Sequence, residues 1–204
     1  MYSPHGKTPL SIQSQDFARR LKRGDPQLIP RFATSVANLV GQGAFPDFFG
    51  ATVTLFPVPG SSLLLPDGLW VPRIVAQALK NAGLAQDVLP AVSRISAVLK
   101  SAFVSPSQRP TVQQHYDSFR VDNLIPIPAH IVLIDDVVTQ GCTLLAAASR
   151  VAEAYPEADV RGFALIRTMS NNDVDDVVQP RTNTIVCPCV GTIKPRKDRA
   201  VRNP

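Results

Sequence analysis

The residues of this 204-residue chain with the clearest chemical potential lie together between Val132 and Leu144. Two adjacent acids, Asp135 and Asp136, follow a short apolar run and precede a stretch of threonines and a glycine. A turn of this kind that opens a helix presents backbone N–H groups and the positive end of a helix dipole to a phosphate. Carboxylates just before the turn accept hydrogen bonds from sugar hydroxyls. The pattern therefore predicts a sugar phosphate site; the plainer alternative is a strand end capped by two acids without a ligand.

This segment resembles the motif with which type I phosphoribosyltransferases bind PRPP (5-phosphoribosyl 1-pyrophosphate): a hydrophobic run, two acids, two apolar residues, Thr-Thr-Gly and a final Thr. The resemblance implies that Asp135 and Asp136 hold the ribose hydroxyls and Mg²⁺ carried by PRPP. It also implies that the residues that follow wrap the 5′-phosphate, namely Val137, Val138, Thr139, Gln140, Gly141, Cys142 and Thr143. Gln140 replaces the family's usual Thr, and its amide can still donate to phosphate. Thr139 stands where the oxopurine salvage enzymes have an acid or base Asp, which argues against hypoxanthine-guanine salvage.

A second resemblance, to the competence-associated ComF branch of the same family, runs from about Lys22 to Arg167. It is carried by five short matches: Leu21-Lys-Arg-Gly-Asp25, Leu55-Phe-Pro-Val-Pro59, Gly68-Leu-Trp70, Ser107-Gln108 and Phe119-Arg-Val121. The chain departs from the branch in having no four-cysteine zinc module and no arginine cluster after Pro59. His115-Tyr116 stands where the branch has Arg and a nearby Asn.

By this resemblance, a pyrophosphate loop follows the first strand and a mobile loop follows later in the chain. The pyrophosphate loop comprises Pro59, Gly60, Ser61 and Ser62, with a strained or cis peptide that turns N–H groups toward pyrophosphate. The segment from Ser101 to Tyr116 is expected to be mobile, and Lys100 and Arg109 are the candidate cations of this region. They would help Mg²⁺ to neutralise the leaving pyrophosphate.

Hydrophobic periodicity predicts an α/β fold with a mostly parallel sheet and right-handed crossovers. Helices are predicted at 12–23, 29–40, 69–82 and 143–155, and strands at 52–58, 131–136, 160–167 and 184–189. Ligands of such sheets bind beyond the carboxyl ends of the strands. The resemblance adds a type I phosphoribosyltransferase-like fold with a small hood. We expect one domain over 1–204, with a helical part at 1–50, a core at 51–190 and a basic tail at 191–204.

The composition predicts a folded protein that does not span a membrane. The chain is 45% hydrophobic and 18% charged, which favours a folded core over disorder. No apolar stretch approaches the ~20 residues that span a membrane, since even Ala51 to Leu65 is interrupted by prolines. With no secretory signal in view, we expect a cytoplasmic protein. Its three cysteines are too few for a disulfide framework, and Cys187-Pro-Cys189 is poor zinc spacing, so reduced thiols are expected.

The net charge of +5 is concentrated at the end of the chain. Five cations minus Asp198 give +4 between Ile193 and Pro204; the cations are Lys194, Arg196, Lys197, Arg199 and Arg202. Such a run binds nucleic acid in some proteins and is a solvated end in others. Three hypotheses follow: a PRPP-dependent transferase with an unidentified acceptor, a PRPP- or nucleotide-binding regulatory module without turnover, and a nucleic-acid-associated protein. The sequence leaves open whether the chain forms a homodimer or has a partner protein.

The nucleic-acid hypothesis makes a quantitative prediction for the tail. Each phosphate contact contributes a log–log salt slope of roughly −0.7 for single strands and −0.9 for duplex, so five contacts give about −3.5 to −4.5. Removal of residues 193–204 should abolish most of this slope in a binding titration against salt and leave PRPP binding intact. A truncated protein that keeps the whole slope would identify the tail as a solvated end.

Overall fold

A computed structural model describes residues 1–100, 108–169, 173–174, 180–182 and 184–185 of the chain. Helices and strands alternate through most of these ranges. The helices are α1 (Pro9–Lys22), α2 (Leu28–Gly41), α3 (Val71–Asn81), α4 (Val112–Ser118) and α5 (Cys142–Ala154). The strands are β1 (Gly50–Pro57), β2 (Ala85–Val88), β3 (Val92–Arg94), β4 (Phe119–Val121), β5 (His130–Val138) and β6 (Asp159–Arg167).

Four strands form one parallel sheet in the order β2-β1-β5-β6. Strand β5 lies between its partners with Val132 opposite Leu55 of β1 and Arg161 of β6. All four carboxyl ends therefore point to one edge of the sheet. The prediction of an α/β fold with a parallel sheet flanked by helices is confirmed.

Strand β5 is buried on both faces, which explains its continuous apolar run. Val132 and Ile134 pack into a cluster with α1, α2 and α3, whereas Ile131 and Leu133 pack into a second cluster with α4 and α5. All four side chains are at most 2% exposed. Full burial of such a side chain contributes about 1.5–3 kcal/mol relative to exposure. The sheet thus separates two apolar cores and fixes the strand that carries the acids.

The predicted ends of α3 are confirmed to within two residues. Gly83 follows the helix with φ +80°, and its N–H donates to the carbonyl of Lys80 at 2.9 Å. The N–H of Leu84 donates to the carbonyl of Leu79 at 3.1 Å. This pair of bonds is the glycine-dependent helix ending that satisfies the last carbonyls. It turns the chain directly into β2.

A second, two-stranded sheet and helix α4 pack on the face of the main sheet that also contacts α5. Strands β3 and β4 form an antiparallel pair in which Arg94 lies opposite Phe119. Helix α4, which precedes β4, was not predicted from its polar sequence. Its start is marked by a reciprocal capping box, since Thr111 Oγ1 accepts from the N–H of Gln114 at 3.2 Å and the Gln114 side chain accepts from the N–H of Thr111 at 2.8 Å.

Several predictions fall outside the described residues. These are the strand after Ile185, the cysteines Cys187 and Cys189, residues 101–107 of the expected mobile loop, and the basic tail. Strand β5 extends two residues beyond its predicted end at Asp136, to Val138, which pairs with Arg167. No helix in the described ranges is long and apolar enough to cross a membrane.

Candidate functional site

Asp135 and Asp136 lie in the carboxyl-terminal half of β5 and are both half-buried. The two carboxyl groups lie close enough to interact through charge and through a side-chain hydrogen bond. The N–H of Asp136 donates to Asp135 Oδ1 at 2.9 Å, and the N–H of Val137 donates to Asp136 Oδ1 at 2.8 Å. These local bonds orient one oxygen of each carboxylate. The sheet itself therefore positions the acid pair.

Burial raises the pKa of the Asp135 carboxyl well above its ordinary value, and the adjacent Asp136 charge adds to the effect. The ionised form is disfavoured because desolvation and a like charge both oppose it. Carboxyls perturbed in this way by burial and a specific neighbour concentrate at functional sites. Asp135 is therefore the most perturbed acid of the predicted site.

The turn after β5 is shorter than the sequence predicted. Val137 and Val138 are strand residues, so the turn itself comprises Thr139, Gln140 and Gly141. Gly141 has φ +80° and precedes α5 without a side-chain cap. The first N–H groups of a helix have no partner within the helix. The start of α5 therefore presents N–H donors and the positive end of its dipole to the turn.

The loop Pro59–Ser62 begins beside the acids. The N–H of Val58 donates to the carbonyl of Ile134 at 2.9 Å, which keeps the chain on β5 up to the residue before Asp135. Among the described residues, no backbone carbonyl accepts from the N–H groups of Gly60, Ser61 or Ser62. These three groups can therefore donate to an anion.

The expected strain in this loop is absent. The cis peptide of the described ranges lies at Ile125–Pro126, far along the chain from Pro59. Among the residues that the structure describes, positive φ angles occur at five glycines and at Phe45 and Asp47, none of them in this loop. The prediction of a strained or cis pyrophosphate loop is therefore wrong. Hydrogen bonds from the rest of the protein hold the loop in place, so its conformation needs no unusual dihedral angles.

Three donors each hold one carbonyl of the segment from Val58 to Ser61. Trp70 Nε1 bonds Val58 O at 3.0 Å, the N–H of Val98 bonds Ser61 O at 2.9 Å, and Arg94 Nε bonds Gly60 O. With these carbonyls bound to the body of the protein, the loop conformation is fixed without unusual dihedral angles. The indole N–H of Trp70 thus helps to fix the position of the loop.

Arg94 is a buried cation with neutral partners. It is 8% exposed, and its guanidinium lies 4.2 Å from the centre of the Phe119 ring. Besides Gly60 it bonds Ser118 Oγ and, at 3.1 Å, His115 Nδ1. It forms no ion pair with any described residue. Burial lowers the pKa of Arg94 to about 10, and the charge of Asp135 opposes this, so Arg94 stays charged at neutral pH.

His115 connects Arg94 to Thr143 at the start of α5. It is 3% exposed, and burial together with the Arg94 charge lowers the pKa of its imidazole to about 4. The ring is therefore neutral, and because Nδ1 faces a guanidinium donor we assign the proton to Nε2. Nε2 lies 3.4 Å from Thr143 Oγ1. Thr143 then accepts from His115 and keeps its own hydroxyl proton to donate to a ligand.

The two predicted cations stand in different places. Lys100 is exposed and lies two residues after Val98, whose N–H holds Ser61. Arg109 is half-buried, and its Nε is buried without a hydrogen-bond partner. Among the residues that the structure describes, the buried cation that contacts the loop is Arg94. Sequence reasoning missed this residue, although Val92 and Arg94 alternate in an apolar stretch as one buried face of a strand.

The donor set fits a magnesium ion that arrives with its ligand. Within the described ranges, no group of three or more His, Cys, Asp or Glu side chains could hold a metal ion. Mg²⁺ is commonly bound through one or two carboxylates plus phosphates and water, and Asp135 and Asp136 supply such carboxylates.

A scan against models of known protein families found no match to the chain, and a search of curated proteins found none either.

The raised pKa of Asp135 predicts a pH-dependent gain from Asp135→Asn. Because its folded pKa lies above the unfolded value, the native state binds the extra proton between those two values and loses stability as pH rises. Asparagine removes this loss, so the gain in melting temperature over wild type should grow between pH 5 and pH 8. Asp67→Asn, at an exposed carboxylate, is the control and should show no such trend. A constant difference for Asp135→Asn would contradict the assignment.

Proposed function

We propose that this protein is a phosphoribosyltransferase: it binds PRPP with Mg²⁺ and transfers the 5-phosphoribosyl group to an acceptor with release of pyrophosphate. The observation that carries the proposal is the meeting of two segments at one sheet edge. The acid pair of β5 and the anion-binding loop after β1 lie side by side, and Arg94 and His115 connect that loop to Thr143. A ligand with a sugar between two phosphate-bearing ends suits this arrangement.

Each part of PRPP has a counterpart in the site. The carboxylates of Asp135 and Asp136 accept from the ribose 2′ and 3′ hydroxyls. The 5′-phosphate lies at the turn from Thr139 to Gly141, where the start of α5 and the Thr143 hydroxyl donate. Pyrophosphate lies against the N–H groups of Gly60 to Ser62. The valines of the predicted cradle, Val137 and Val138, contribute by continuing the strand up to that turn.

The reaction is a displacement at ribose C1. A nucleophilic atom of the acceptor bonds to C1 as the bond from C1 to the pyrophosphate oxygen breaks, and pyrophosphate leaves with the electron pair. The acceptor atom then loses its proton to solvent or to a base. Positive charge develops on the sugar, as in glycoside hydrolysis. Mg²⁺ bound with PRPP supplies charge neutralisation on the leaving group, and the loop N–H groups add preorganised donors.

A second candidate is a binding module that senses PRPP or a nucleotide without turnover. It is favoured by the unstrained loop at Pro59–Ser62 and by the lack of an arginine cluster after it. In this candidate the same residues bind the same ligand, and only the chemical step is missing. Binding and turnover must therefore be measured separately.

Binding is tested with the double variant Asp135→Asn/Asp136→Asn. Hydrogen bonds to charged groups contribute about 1.5–3 kcal/mol each, so loss of both carboxylates should weaken PRPP–Mg²⁺ binding by at least about a hundredfold. Calorimetric titration measures this affinity. Asp67→Asn/Asp117→Asn removes the same charge from exposed positions and should bind like wild type. Equal affinities of both double variants would refute the site.

Turnover then separates the two candidates. Pyrophosphate release from PRPP, followed by mass spectrometry across a panel of bases, nucleotides and DNA, is expected for the transferase. Tight PRPP binding with no release for any acceptor in the panel would favour the sensor.

The role of Arg94 is tested with Arg94→Met, which keeps an unbranched apolar stem and removes the charge and its donors. The substitution leaves the Gly60 carbonyl, the Ser118 hydroxyl and His115 Nδ1 without their donor, so it lowers stability as well as releasing the loop, and circular dichroism must show that the variant is folded. Affinity for inorganic pyrophosphate with Mg²⁺ should fall about tenfold to a hundredfold. Affinity for ribose 5-phosphate should fall less, because its contacts lie at β5 and α5.

Arg150→Met is the matched control. Arg150 stacks 4.7 Å from the centre of the Tyr116 ring and bonds the carbonyl of Phe119, but it does not contact the loop at Gly60. It should therefore leave pyrophosphate affinity unchanged. If both variants lose pyrophosphate and ribose 5-phosphate affinity equally, Arg94 is a folding residue only.

A further inference from the structure

A cavity of about 410 Å³ lies beside the edge strand β6, and its lining also includes residues of α1, α2, the turn at 45–48, the end of β5 and the start of α5. Its wall includes the rings of Phe17, Phe32, Phe45 and Phe163. Small-molecule sites typically have volumes of about 300–1,000 Å³ and mostly apolar walls with a few polar groups. The cavity therefore has the size and the surface of a ligand site, and it is separate from the loop at Pro59–Ser62.

The charged residues that line the cavity are all arginines. Arg31, Arg167 and Arg181 belong to its lining and are exposed, so they lie where the cavity meets solvent. No Asp or Glu occurs among the described residues that line it. Arg31 and Arg167 form no ion pair with any described residue. An apolar interior with a cationic mouth is complementary to a molecule that has an apolar body and an anionic group.

The aromatic wall contains an unusual backbone conformation. Phe45 has φ +53°, a left-handed conformation that is rare for a bulky side chain. Its ring packs edge-on against Phe163 at 5.4 Å and Phe49 at 6.2 Å between centroids. Such outliers persist only where the surroundings impose them, and they cluster at ligand sites. The fold thus holds this ring in the wall against its local preference.

We propose that this cavity binds a small, flat, apolar molecule with a single carboxylate or comparable anionic group. The rings contact its two faces, and the guanidinium groups of Arg31 and Arg167 bind the anion at the mouth. A neutral molecule of the same shape would pack against the same rings but would make no ionic contact with Arg31 or Arg167. The proposal does not rest on PRPP binding, since Arg31, Arg167 and the four rings belong to no part of that site; Val138, which continues β5 up to the phosphate turn, lines both.

The probes for the test are 2-naphthoate and its neutral analogue 2-naphthalenemethanol, titrated by saturation-transfer NMR. We expect both to bind and the carboxylate to bind about fivefold more tightly, near the upper range for exposed charge pairs. Arg31→Gln/Arg167→Gln should abolish this preference and leave the affinity for the alcohol unchanged. Ser35→Trp, on exposed α2 surface at the cavity lining, should weaken both ligands by filling the space.

Arg73→Gln, at an exposed arginine of α3 outside the lining, is the control and should keep the preference. Circular dichroism verifies that each variant is folded. Failure of both probes to bind the wild type would overturn the proposal, as would a carboxylate preference that survives in Arg31→Gln/Arg167→Gln.

Discussion

A buried positive charge without a paired negative charge is the constraint around which the site is arranged. Arg94 is nearly enclosed, and its polar contacts are a carbonyl, a hydroxyl and an imidazole. Taking a guanidinium out of water is costly unless its N–H groups are bonded. The fold meets that requirement with groups from two segments, the loop after β1 and helix α4, and so holds both at fixed distances from β3.

The same contacts decide the proton positions around Arg94. Burial, together with the charged guanidinium beside it, lowers the pKa of His115 and keeps the imidazole neutral. The direction of the hydrogen bond between them assigns which ring nitrogen is protonated. That assignment passes on to Thr143, whose hydroxyl becomes an acceptor on one side and a donor on the other. Arg94 in β3 thus sets, through His115, which way the Thr143 hydroxyl at the start of α5 donates. Arg94 acts on a ligand through other groups.

Much of this architecture was predictable because parallel strands have a strong signature in sequence. The run Ile131 to Ile134 is apolar on both faces, and it predicts a central strand and places the acids at its carboxyl end. The exact end of that strand was not predictable, because β-branched Val137 and Val138 fit a strand as well as a turn. Helix α4 has polar side chains and little periodicity, so its capping box was the better signal. Arg94 was missed because charge in a short strand is usually solvated, and only the packing of α4 and β4 encloses it.

The loop at Pro59–Ser62 illustrates what resemblance to a family can and cannot predict. Its position at the end of β1, next to the acids, followed from the order of the elements. Its backbone conformation did not, because that depends on Trp70, Arg94 and Val98, which approach from three other parts of the chain.

The proton affinity of Asp135 has a thermodynamic consequence for any ligand that requires its ionised form. A hydroxyl donor or a metal ion bound there displaces a proton, and that proton must be taken up by the buffer. The heat of binding then includes the ionisation enthalpy of the buffer, and the apparent affinity rises with pH until Asp135 is ionised in the free protein. Enthalpies measured in phosphate and in Tris would differ by the number of protons released multiplied by the difference between the ionisation enthalpies of the two buffers, so the comparison counts the protons that leave the protein on binding.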